Sequence, residues 1–244
     1  MTLQSVGGIK VWNGTAWITS DEATDVVEVV GSTDTSIVSA TSVSRVIPAS
    51  TLAGDLIVAG MFHRSTSTGP SGYTRVGQQA HPAGDPNNAN QVAELWTKTA
   101  VEADAGATVT FTQSSSGRMN LALLILSAPD GVELEDIETL THQSTDGDGN
   151  HPVPRPTSGG AGRVAVSLSS CTYANTQGSL TSYFPPSRWV GSSTRERPEN
   201  RLSLAFRFVG AGQLSAGLVC AHPVPGNHSG GEICAIFRPA ESGS

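Results

Sequence analysis

Gly54-Asp55-Leu56-Ile57-Val58 and Gly162-Arg163-Val164-Ala165-Val166 open two stretches that follow one plan. After each, a Pro-rich turn leads to Arg75-Val76-Gly77 in one copy and Trp189-Val190-Gly191 in the other. An aromatic strand centred on Trp96 answers one around Phe206, and each runs into an Ala-Gly turn, Ala105-Gly106 and Ala211-Gly212. Each copy closes on an apolar run ending at a proline, Leu123 to Pro129 and Ala235 to Pro239. Four elements recurring in one order, about 110 residues apart, are the mark of a duplicated unit. A set of strands duplicated in this way predicts an all-β chain. The expected fold is an antiparallel, jelly-roll-like β-sandwich made of two weakly repeated halves, 54–128 and 162–239, in a domain spanning 21–240. Alternating runs such as Leu202, Leu204, Phe206 and Phe208 are expected to face its interior.

Composition agrees with that class. The 244 residues are 37% hydrophobic and only 14% charged, with abundant Gly, Ser, Thr and Ala, which suit short strands and turns better than long helices. The one helical turn the pattern suggests is Val101 to Ala105. A net charge of −7 argues against a nucleic-acid partner, since nothing would neutralise a phosphate backbone. The longest apolar run, Leu121 to Leu126, is far short of a bilayer span, so no membrane insertion is expected. The opening Met1-Thr2-Leu3-Gln4-Ser5 has neither the basic region nor the apolar stretch of a signal peptide. Synthesis in the cytosol follows, with export only inside something larger.

Residues 1–20 read as a separate unit. Ile9-Lys10-Val11-Trp12, Asn13-Gly14 and Thr15-Ala16-Trp17-Ile18 form a hairpin pattern, Asn-Gly being the preferred pair of a two-residue type I′ turn. In that register Trp12 faces Thr15 and Lys10 faces Trp17. Such a ribbon is too short to be stable alone and needs something to pack against, which makes Val11, Trp12 and Trp17 docking candidates.

Chemistry-bearing residues are scattered. Asp146, Asp148 and Asn150 alternate like a calcium loop, but His151 and Thr157 stand where that loop needs Gly and Glu, so a simple turn is the better reading. The six histidines show no metal-ligand spacing, although His63 and His81 are candidates to meet in space. Cys171, Cys220 and Cys234 fit no zinc pattern, and buried thiols are favoured over a Cys220–Cys234 disulfide. No nucleophile elbow is present, and the one catalytic arrangement left open is a carboxylate pair of Glu94 and Glu232. The expectation is therefore no catalysis, no metal and no cofactor. Tyr173, Tyr183, Phe184, Arg188 and Trp189 lie with Asn175 and Gln177 in a Gly/Pro/Ser-rich stretch. Aromatic faces beside amides and an Arg suit a sugar-binding loop, whereas the usual burial of large aromatics favours packing at the sandwich end.

The opening Gly7-Gly8-Ile9-Lys10-Val11-Trp12-Asn13-Gly14-Thr15-Ala16-Trp17 resembles a Val-Trp-Asn-Gly-x-x-Trp segment of minor tail proteins of tailed phages that infect actinobacteria. The first half also resembles a module of phage tail and bacterial surface proteins in Gly54 to Ala59, Ser71-Gly72-Tyr73-Thr74, Trp96-Thr97-Lys98 and Leu121 to Leu126. In the second half Ser187-Arg188-Trp189 departs from the Gly-Tyr-Thr turn. The resemblance implies a virion protein of the phage tail that assembles with other tail proteins. It further implies a homo-oligomer, trimeric or of higher symmetry around the tail, in contact with a host-envelope glycan. A carbohydrate-binding receptor module and a capsid decoration or head-fibre protein are the alternatives.

Overall fold

The computed structural model describes the backbone of residues 11–12, 17–18, 28–33, 38–82, 91–128, 133–144, 150–154, 163–173, 181–182, 188–192, 201–209, 218–221 and 228–240. Side chains are described over 40–82, 91–128, 133–143 and 163–170, at 154, 202, 204 and 206, and over 230–240.

The fold is all-β and antiparallel throughout. The N-terminal ribbon is β1 (Val11–Trp12) with β2 (Trp17–Ile18). The first half follows with β3 (Glu28–Thr33), β4 (Val38–Val46), β5 (Leu56–His63), β6 (Ser67–Thr68), β7 (Thr74–Ala80), β8 (Val92–Thr99) and β9 (Thr108–Ser127). The second half holds β10 (Leu134–Ser144), β11 (Asn150–Val153), β12 (Arg163–Tyr173), β13 (Thr181–Ser182), β14 (Arg188–Ser192), β15 (Arg201–Val209), β16 (Leu218–Ala221) and β17 (His228–Pro239). The suggested helical turn is a 3-10 turn, Glu102–Asp104. It hands the chain to Gly106, whose φ of 73° lies in the left-handed region that a side chain resists.

Strand order is the same in both halves. The first half has a five-strand layer, β3-β9-β5-β8-β7, and the second has β10-β17-β12-β15-β14. Each half adds a three-strand layer, β4-β9-β6 in the first and β11-β16-β13 in the second. The long β9 serves both layers of its half, its start pairing with β4 and β6 and its end with β3 and β5. In the second half β16 and β17 divide that work.

Bulges recur as well. Val76 is the extra residue between the Arg75–Trp96 and Gly77–Leu95 pairs, and Val190 is the extra residue between Trp189–Ala205 and Gly191–Leu204. The matched triplets Arg75-Val76-Gly77 and Trp189-Val190-Gly191 are therefore edge-strand bulges, where one added residue re-aims the side chains that follow. A second bulge falls between Val29 and Gly31 opposite Leu126, and its counterpart between Asp136 and Glu138 opposite Phe237.

Alternation along the strands sends side chains to two cores. Leu56, Val58, Phe62, Ala93, Leu95, Ala122, Leu124 and Leu126 meet Val164, Val166, Leu168, Leu202, Leu204, Phe206, Ile233, Ala235 and Phe237 in a core between the two five-strand layers. Ile57, Ala59, Met61, Leu121, Leu123 and Ile125 point the other way and meet Val43, Ile47, Val109 and Phe111 under the small layer of the first half. β5 is consequently buried along its whole length. Each half carries a large and a small layer, and in the first half the small layer covers the outer apolar face of the large one. Small residues set the contact between halves: a Cβ at Gly60 would lie 2.6 Å from Leu168 Cδ1, and one at Gly77 2.7 Å from Ile233 Cγ2.

The N-terminal hairpin differs from the expected register. Val11 pairs with Ile18 and Trp12 with Trp17, so four residues connect the strands, where a two-residue Asn-Gly turn was expected. That pairing sets Trp12 and Trp17 directly opposite each other in the ribbon.

Candidate functional site

The most densely connected polar centre is built on β8. Ala93 and Leu95 face the other half, so Glu94 between them faces the small layer of its own half, where it is fully buried. One carboxylate oxygen accepts from Ser67 Oγ at 2.6 Å and from Trp96 Nε1 at 3.0 Å, and lies 3.3 Å from His63 Nε2. The other accepts from Arg75 Nη1 at 2.7 Å. The bulge at Val76 makes the last contact available, because it leaves Arg75 opposite Trp96 and Gln78 opposite Glu94 on one face while Gly77 turns toward the other half.

The donors decide the charge state. Burial pushes the Glu94 carboxyl up, but His63, Ser67 and Arg75 outweigh it and hold the group at about 2, against an ordinary 4.5. His63 is itself buried, and its Nδ1 donates to the carbonyl of Ser65. Arg75 closes the outside of the centre, its guanidinium 5.5 Å above the Trp96 ring. Gly69 packs against the same indole so closely that a Cβ there would fall 2.5 Å from a ring carbon.

Beside this centre Tyr73 and Trp96 both meet Phe111 edge-on, with ring centroids 5.5 and 5.8 Å apart. Lys98 Nζ lies 5.8 Å from the Tyr73 ring centroid and donates to Asp104 at 2.6 Å, while the other Asp104 oxygen accepts from the Val101 N–H. Burial, and then the charge of Asp104, push the Tyr73 phenol up. A further polar contact ties the halves together. His81 Nε2 lies 2.7 Å from Ser170 Oγ, which donates to the carbonyl of Gly231. With its proton spent on that carbonyl, Ser170 receives the histidine's hydrogen.

In these arrangements the polar groups are engaged with one another. A base works best with a pKa near the working pH, and Glu94 lies far below it with both oxygens engaged. Ser170 is fully buried and its hydroxyl is committed to two partners. Compared with known protein families, curated proteins and solved structures, the chain matches none.

Several sequence expectations resolve differently in space. Glu94 and Glu232 do not form a pair. Glu232 alternates with Ile233, which belongs to the core between halves, so each carboxylate lies on the far face of its own large layer with that core between them. His63 and His81 do not meet either, since His81 packs on Phe62 at 5.6 Å on the face opposite the Glu94 centre. Cys234 is a buried thiol receiving a hydrogen bond from Ser167 at 3.7 Å, which rules out a bridge to Cys220. Among the described residues no three His, Cys, Asp or Glu side chains are grouped to hold a metal, and no helix is long and apolar enough to cross a membrane.

Of the aromatic stretch, Tyr173 ends β12, and Arg188 and Trp189 open the edge strand β14, Trp189 opposite Ala205. Tyr183, Phe184, Asp146 and Asp148 lie outside the described residues, as do the side chains of Phe208, Tyr173, Arg188 and Trp189. Reading the sequence missed Ser67 and Arg75 as partners of Glu94. The available signal was a lone Glu one residue from a run destined for burial, since a carboxylate there demands donors.

Proposed function

We propose that this protein is a non-enzymatic structural component of a phage tail, docking through its N-terminal hairpin and assembling as a homo-oligomer around the tail axis, with each half a jelly-roll-like sandwich. The observation that carries this reading is the separateness of the hairpin. β1 and β2 pair with each other and with no strand of the larger sheets among the described residues. A two-stranded ribbon of this length has little stability of its own and presents Trp12 and Trp17 at one opposed pair of positions. A partner surface supplies what the ribbon lacks. The resemblance of 7–17 to the opening of phage minor tail proteins names the kind of partner, another tail protein. The spent polar groups of the Glu94 centre fit a scaffold.

Deleting residues 1–20 tests it. The truncated protein is expected to unfold cooperatively with an unchanged midpoint yet to be absent from purified particles, while full-length protein carrying a label is seen on the tail. Loss of the cooperative transition would make the hairpin part of the core, and a label on the capsid would remove the tail assignment.

A further inference from the structure

The middle of β9 carries an unusual bulge, and two arginines lie beside it. Ala40 pairs with Gly117 and Ser42 with Thr112, so Thr41 alone on β4 stands against Gln113, Ser114, Ser115 and Ser116 on β9. Among the described residues the other register shifts insert one residue each. Ser114, Ser115 and Ser116 are exposed, while Gln113 at their base is buried. Gln113 pins the bulge. Its amide donates to the Ala40 carbonyl at 2.7 Å, and its oxygen accepts from the Arg64 N–H at 3.1 Å and from Ser65 Oγ at 3.3 Å. The Ser114 N–H donates to the Thr66 carbonyl at 2.9 Å and the Ser115 N–H to Ser65 Oγ at 3.2 Å. The connector 63–67 is therefore held from two sides. Arg64, Ser65 and Thr66 bind the bulge, and His63 and Ser67 face Glu94. Bulges of this kind re-aim side chains and occur preferentially beside functional sites.

On this rigid base Arg64 and Arg118 come together. Phe62 pairs with Asn120, two residues short of each arginine, and a Cβ added to Gly117 would lie 3.2 Å from Arg64 Cβ. Both arginines are half-buried. Burial, and then the charge of Arg64, pull the Arg118 guanidinium below its ordinary value. Two like charges held side by side repel each other, and a bound anion relieves that repulsion. A guanidinium carries five N–H donors, so each arginine can hold a protein partner with one edge and an anion with another. A carboxylate is met in full by one such fork, whereas a phosphate has oxygens for two forks and for a serine hydroxyl besides. We propose that Arg64 and Arg118, with the exposed serines beside them, bind a phosphate group. The pinned bulge and connector hold the donors in place beforehand, so little ordering opposes binding. The phosphate is either a free ion or a phosphodiester of a polymer, and titration tells these sources apart.

The test is an NMR titration of the full-length protein at constant ionic strength, following the arginine Nε–H signals. Inorganic phosphate is expected to shift the Arg64 and Arg118 signals along one saturable curve, and chloride to leave them in place. Arg118→Gln should weaken the affinity about tenfold, the loss of one charge-assisted contact. Arg238→Gln, in the second half and paired with Glu135, should leave it unchanged. If R118Q does not fold, Arg118→Lys decides, because it keeps the charge and loses the planar fork; binding weaker by about threefold or more supports the site. Poly(glycerol phosphate) binding more tightly per phosphate than the inorganic ion assigns the group to a polymer, and equal or weaker binding assigns it to the free ion. Shifts that never saturate, shifts shared equally by all arginines, or an affinity unchanged by substitution at Arg118 would overturn the site.

Discussion

Replacing Glu94 by Gln keeps the shape of the side chain and removes the charge that His63, Ser67, Arg75 and Trp96 all address. Three donors converge on the two oxygens of Glu94, and His63 Nε2 lies 3.3 Å away. An amide has one acceptor oxygen, and its NH2 must confront either the Arg75 guanidinium or the Ser67–Trp96–His63 side. The size of the loss follows from how far the protein has moved the group. A carboxyl held at about 2 in the folded chain, against 4.5 unfolded, contributes about 3 kcal/mol at neutral pH, at roughly 1.4 kcal/mol per tenfold change in acidity. Because the folded value is the lower one, that contribution is complete above pH 4.5 and fades as pH falls toward 2. Urea unfolding at pH 7, 4 and 2.5 therefore has a definite expectation. Wild type and E94Q differ by about 3 kcal/mol at pH 7, the gap narrows at pH 4, and most of it is gone at pH 2.5. A gap that does not change with pH would show that the substitution acts through packing alone, and the account of a held charge would be wrong. Glu94→Leu is a different perturbation, since it leaves Ser67, Arg75 and the Trp96 N–H without their acceptor, and a buried donor left unsatisfied costs about 1–3 kcal/mol.

Two further outcomes follow from close packing and from the placement of the acids. Gly69→Ala drives a Cβ to within 2.5 Å of the Trp96 ring and should lower stability by about 2 kcal/mol; Gly60→Ala meets the terminal methyls of Leu168 and Leu204, which can turn about their own bonds, and should lose less, so equal losses in parallel thermal melts would contradict this reading of the indole as fixed. Purified protein incubated with peptidoglycan or mycolyl-arabinogalactan fragments should release no reducing ends or acyl groups; reproducible turnover abolished by E94Q would make the Glu94 centre catalytic.

The fold was largely legible because two independent signals converged. Strand propensity and turn chemistry gave the class, and the repeated order of elements gave the plan of the large layers. The triplets around Val76 and Val190 matched because a bulge constrains three residues at once, one to lead in, one to bulge and a glycine to follow, and Gly77 faces the other half. The small layers were harder to foresee. β6 and β13 are two residues each, and β9 changes partners midway with no break in its hydrogen-bonded run, so neither length nor periodicity marks them. The hairpin register failed for a similar reason. Asn13-Gly14 is a strong two-residue turn signal, yet a register slip of that kind changes which residues oppose, and the pairing found sets Trp12 against Trp17.

The Glu94 centre shows why a site of this sort resists sequence reading. Its members come from 63, 67, 75, 94 and 96, on four strands, and no spacing along the chain connects them. What joins them is the phase of each strand: His63 two residues beyond Met61 on the outer face of β5, Glu94 and Trp96 on the outer face of β8, and Arg75 kept on that face by a bulge. The same logic separates residues that sequence reasoning had brought together. Glu94 and Glu232 both sit on strands bordering the core between halves, but each is offset by one residue from the apolar positions that face it, and one residue in a strand is the difference between facing a partner and facing away. A carboxylate pair would have required both strands to shift by a single residue, which would have turned Leu95 and Ile233 out of the core. The hydrophobic pattern that builds the double sandwich is thus the same physical cause that keeps Glu94 and Glu232 apart.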